Sequence, residues 1–133
     1  MKNKKSILIC GIFMCSVFIT CCMFPFLNLT KETPIRMEIA NWLVIVVSIM
    51  FYHSIGQVEA KLLPNSSEMF IGLFNLIATI LGMGIRFLLE FGEVSNTYNF
   101  TIPNIILHIL ISVVMVSGTW LFYKKLAIKT KSS

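Results

Sequence analysis

Asn75, Thr79, Arg86 and Glu90 follow one another at spacings of four, seven and four residues. At about 100° per residue, they and Gly72, Gly82 and Glu93 fall within about 80° on one side of a helix. The rest of that helix is Phe, Leu, Ile and Met, with Ala78 and Gly84. A second set, Asn104, His108, Ser112 and Thr119, repeats at four, four and seven residues further along the chain. Arginine binds anions, glutamate and histidine move protons, and amide and hydroxyl side chains hydrogen-bond to a neighbour or to a small polar ligand. If the two helices run in opposite directions, His108 reaches a depth similar to that of Arg86 and Glu90. The expected polar pocket or partner interface is therefore Asn75, Thr79, Arg86, Glu90, His108 and Ser112, with Asn41 as a further contributor. Two readings stay open: a packing face with an Arg86–Glu90 pair at i,i+4, or a polar cavity for a ligand or ion.

The elements that carry these residues are set by composition. The chain has 133 residues, of which 56% are hydrophobic and 13% charged, with a mean hydropathy of +0.84. Four apolar stretches, about 6–27, 39–55, 69–91 and 102–123, fill most of it. A helix needs about 20 residues to cross a hydrocarbon core of about 30 Å. Three stretches meet that length, while 39–55 lies near the lower limit. The expected fold is an all-α integral membrane protein, one domain over 1–133, arranged as a four-transmembrane-helix up-down bundle.

Charge sets the orientation. Lys2, Lys4 and Lys5 precede the first stretch, Lys124, Lys125, Lys129 and Lys131 follow the last, and 91–101 carries no Lys or Arg. Both termini are therefore expected in the cytoplasm. The same bias accounts for the net charge of +5 without nucleic acid as a partner. Trp42, Trp120, Tyr52 and Tyr123 lie near span ends, as interfacial aromatic residues do, and His53 reads as interfacial beside Tyr52. Abundant Lys, Asn and Ile with no Asp suggest an AT-rich bacterial gene and a bacterial cytoplasmic membrane. Pro25 is expected to kink or end the first helix, and Asn65-Ser66-Ser67-Glu68 resembles a capped helix start.

No catalytic constellation stands out. His108 and Ser112 are i and i+4, but the only carboxylate available to orient the histidine is Glu90, on another helix. Cys10, Cys15, Cys21 and Cys22 all fall in the first span. A straight helix places none of their pairs at disulfide distance, and no Cys-x-x-Cys occurs. Cys21-Cys22-Met23-Phe24-Pro25 is similar to the paired cysteines followed by proline in the first helix of bacterial mercury-uptake membrane proteins. That resemblance covers five residues and implies a soft ion held by thiolates. Those proteins carry a second cysteine pair, whereas this chain has no cysteine after Cys22.

No cofactor and no metal are expected. The expected function is that of a non-enzymatic accessory, regulatory or immunity-type protein, whose partners are the bilayer and a membrane protein or a second copy of the chain. The alternative is a small oligomeric transporter or flippase with an outward-side polar pocket.

Overall fold

A computed structural model describes residues 2–24 and 35–132. Pro25, Asn28, Lys31 and Pro34 lie outside the described residues, as does the side chain of Asn41. The described chain is helical, without strands. Its elements are α1 (Lys2–Met23), α2 (Ile35–Leu62), α3 (Glu68–Leu89), α4 (Val94–Asn99) and α5 (Ile102–Ser132). The four long helices contain segments long and apolar enough to span a membrane: Asn3–Met23, Trp42–Leu62, Glu68–Leu89 and Ile102–Lys129.

The fourth span does not end at Tyr123 but runs on to Lys129, and two further differences bear on the site. The second span does not end at Ile55 but runs on to Leu62. Gln57, Glu59 and Lys61 give 56–62 the look of a polar connection, yet the helical period continues through it. Gln57 and Lys61 are exposed while Glu59 is fully buried. The second difference is α4, a short helix within the stretch 91–101. Gly92, with φ of 85°, turns the chain between α3 and α4, a backbone conformation that glycine adopts without a Cβ penalty.

The predicted cap at the start of α3 is present. Ser67 is its N-cap, and the Ser67 hydroxyl accepts a hydrogen bond from the Phe70 N–H at 3.1 Å. Pro103 sits in the first turn of α5, where a missing N–H costs nothing.

The helices pack as two close pairs. Phe13 meets Phe74 edge-on at 5.4 Å, Val17 and Thr20 abut Gly82, and Arg86 reaches the carbonyls of Cys21 and Cys22. Residue numbers rise together along this seam, so α1 and α3 run parallel. In the second pair, Tyr52 meets His108, Gly56 abuts Val116 and Thr119, and Leu63 meets Trp120; α2 and α5 are also parallel. The pairs join through α3 and α5, which run antiparallel, with Asn75 at Ser117 and Thr79 at Ser112.

Gly82 and Gly56 explain why these pairs form. A Cβ on Gly82 would lie 2.7 Å from the Val17 carbonyl oxygen, and one on Gly56 would lie 2.8 Å from that of Val116. In lipid there is no hydrophobic drive between helices, so close contact at small residues and hydrogen bonds must hold them together. Both are present here.

Candidate functional site

The polar side chains of the bundle interior form a ladder. At its first level the carboxyl of Glu59, on α2, is fully buried; its Oε2 accepts a hydrogen bond from Asn75 Nδ2 at 3.3 Å. The same amide nitrogen donates to Ser117 Oγ on α5 at 3.2 Å. Both Asn75 N–H groups are therefore used, and three helices meet at one amide. Glu59 Oε1 has no hydrogen-bond partner among the described residues.

One turn along α3, the Thr79 hydroxyl donates to the Asn75 carbonyl at 2.8 Å and lies 3.2 Å from the Ser112 hydroxyl. One turn back along α5 from Ser112, His108 Nε2 lies 3.1 Å from the Tyr52 hydroxyl. The Tyr52 hydroxyl also meets the Thr20 side chain of α1. Phe24 covers the imidazole edge-on at 4.9 Å. Asn104, a further turn along α5, is buried and donates to the Asn99 carbonyl at 3.4 Å. Every level spans at least two helices, as expected where an unsatisfied polar group costs several kcal/mol.

Four of the six sequence-predicted residues, Asn75, Thr79, His108 and Ser112, are thus buried in one interior system. Arg86 and Glu90 have different surroundings. Arg86 Nε pairs with Glu90 Oε1 at 2.9 Å, with side chains 24% and 20% exposed. Arg86 Nη1 donates to the Cys21 carbonyl at 2.9 Å and the Cys22 carbonyl at 3.2 Å. These are among the last carbonyls of α1, which lack partners within their own helix. A cation there satisfies them and complements the negative end of the helix dipole. The geometry makes Arg86 a cap that fastens α3 to the end of α1.

Sequence reasoning passed over Tyr52, Glu59, Ser117 and Thr20. The signal for the first two was present. Ser48, Tyr52, Ile55, Gly56, Glu59 and Leu63 fall within about 100° on one helix face, and all six are buried. Extending the second helix to Leu62 would have exposed that stripe. Tyr52 and Trp120, read as interfacial aromatic residues, are instead 2% and 1% exposed. The Trp120 indole donates to the Leu63 carbonyl at 3.0 Å. His53 does lie on the exterior, 3.1 Å from the Tyr123 hydroxyl.

Comparisons with protein-family models, with curated proteins and with solved structures find no match to this chain. Its chemistry must be read from its own residues. Among the described residues no group of three or more His, Cys, Asp or Glu side chains could hold a metal ion. Near His108 and Ser112, the Ser112 hydroxyl is engaged with Thr79 and with the Ile109 carbonyl, and the imidazole Nε2 faces Tyr52. The arrangement suits hydrogen bonding within the bundle. It does not aim a nucleophile at an open cleft.

Proposed function

We propose that the chain is a non-enzymatic accessory or regulatory protein of a bacterial cytoplasmic membrane, of the kind that guards or tunes a membrane partner. Both termini lie in the cytoplasm in this reading, as the lysine distribution directs. The observation that supports it is the exposure of α2 over 42–47. Trp42, Leu43, Val44, Val46 and Val47 are all exposed, and only Ile45 turns partly inward. At about 100° per residue the five exposed side chains span about 200° of the helix, and the remaining arc around Ile45 continues the inward face of Ser48 and Tyr52. This apolar arc of Trp42, Leu43, Val44, Val46 and Val47 lies on the outside of the bundle, open to lipid or to another protein. A membrane-protein partner or a second copy of the chain would cover it.

The test is a photo-crosslinking amino acid placed at Leu43 or Val46 in cells, with the same probe at Val114 on α5 as a control. A discrete protein adduct at 43 and 46 but not at 114 supports the reading. Lipid adducts alone at all three positions refute it.

The second reading, a small oligomeric transporter, is favoured by the interior polar ladder, since ionisable groups within membrane helices mark ion or substrate paths. Substrate-dependent movement in vesicles containing only this protein would favour it over the first.

A further inference from the structure

Glu59 is the residue whose surroundings its neighbours explain least. It is fully buried, one oxygen meets Asn75, and the other has no hydrogen-bond partner among the described residues. Among the described residues the elements packed round it supply no countercharge: α1 presents Ile12, α3 presents Asn75, α5 presents Ser117 and then Trp120, and α2 presents Ala60, followed by Leu63. The charged residues at this end of the bundle are engaged elsewhere or exposed. Lys5 lines an outer cleft, Lys61 and Glu68 are exposed, and Lys124 lies over the Trp120 ring at 4.6 Å. An anion left bare in such a place is strongly disfavoured, and a bound proton removes that penalty.

An open cleft begins one helical turn away. Leu63, whose N–H donates to the Glu59 carbonyl at 2.7 Å, is 3% exposed and packs with Ala60 and Trp120. Leu63 also forms part of the wall of a cleft of about 450 Å³, which Lys5, Leu62, Asn65, Ser66 and Phe70 help to line. The Trp120 indole holds the Leu63 carbonyl. Leu63 thus joins the Glu59 turn to the wall of an open cleft with a lysine at its edge, and Trp120 holds Leu63 in place; the pair is termed the plug.

We propose that Glu59, held by Asn75 and backed by Ser117, is a proton-binding site, and that proton release is coupled to opening of the Leu63–Trp120 plug. In the closed bundle the carboxyl keeps its proton. When the Glu59 O–H bond breaks, the proton passes to water in the cleft. The carboxylate left behind then needs hydration, which the plug must move to admit. The site is independent of the partner reading and can serve either function as the element that senses or uses a proton.

Infrared spectroscopy of the purified full chain in lipid nanodiscs tests this directly. The wild-type protein at neutral pH is expected to show the carbonyl stretch of a protonated carboxylic acid. That band is expected to vanish in Glu59→Gln and to persist in Glu68→Gln and Glu90→Gln. Raising the pH until the band disappears is expected to increase quenching of Trp120 fluorescence by aqueous iodide, measured in a Trp42→Phe background, and Glu59→Gln should abolish that increase. Absence of the band from the wild-type spectrum overturns the proposal whether or not Glu59→Gln folds. A band that survives Glu59→Gln overturns it too, as does loss of the band on adding sodium ions at constant pH, which would make the site one for a metal cation. Loss of the band without any change in quenching would overturn the coupling to the plug.

Discussion

Adding a single methyl group at Gly82 should loosen the bundle, while adding one at Gly84 should not. A Cβ at Gly82 would stand 2.6 Å from Thr20 Cβ and 2.7 Å from the Val17 carbonyl oxygen, whereas ordinary contact begins at 3.4 Å. The carbonyl belongs to a helix backbone and cannot rotate away, so α1 and α3 must separate by about 0.7 Å, the shortfall from 3.4 to 2.7 Å. A gap of 0.5–1 Å forfeits roughly a quarter to a half of each dispersion contact it opens. Along this seam those contacts include Ile12 and Phe13 against Ile71 and Phe74. Overpacking of this kind costs about 1–3 kcal/mol. The gain in helix propensity from Gly to Ala, about 1 kcal/mol in water, is smaller in detergent, where the unfolded helices stay helical. A net loss of about 1–2 kcal/mol is expected, roughly a 5- to 30-fold change in the folding equilibrium. The assay is reversible unfolding in mixed micelles of rising dodecyl sulfate fraction, followed by the fluorescence of buried Trp120. Gly84→Ala and Gly72→Ala, whose added Cβ would meet nothing within 4 Å, should stay within about 0.5 kcal/mol of wild type. If Gly82→Ala proved as neutral as Gly84→Ala, the close α1–α3 crossing would be refuted.

Arg86→Gln removes the cation that holds the Cys21 and Cys22 carbonyls. It should cost about 1 kcal/mol at this partly exposed position and speed thiol labelling of Cys21, while unchanged labelling would refute the capping role. Arg86→Lys should not fully restore protection, because a lysine lacks the guanidinium fork that serves Glu90 and two carbonyls at once. Trp120→Phe leaves the Leu63 carbonyl without its indole donor. It should lower stability by about 1–3 kcal/mol, read as an earlier thermal transition in detergent, and a transition matching wild type would argue against a structural plug.

The sequence was informative wherever one helix sufficed to state the pattern. The stripe from Asn75 to Glu90 and the repeat from Asn104 to Thr119 are periodic, and the helical period alone places Asn75, Thr79, His108 and Ser112 on inward faces. The Ser67 cap was legible for the same reason, since it depends on residues next to one another. Glu59 was missed because polarity was read as the end of a helix. In a bundle interior a carboxyl can continue an inward face as readily as Ser48 or Tyr52, and only its neighbours reveal which.

Sequence by itself determined four membrane-length apolar helices and the polar stripes on them, because bilayer thickness and the 3.6-residue period act on each segment separately. Which stripe meets which was decided only by tertiary structure. Gly56 and Gly82 fit α5 and α1 by shape, and shape complementarity between distant segments leaves no local trace. That pairing placed Arg86 on the end of α1, set Tyr52 against His108, and enclosed Glu59 among Asn75, Ser117 and the plug.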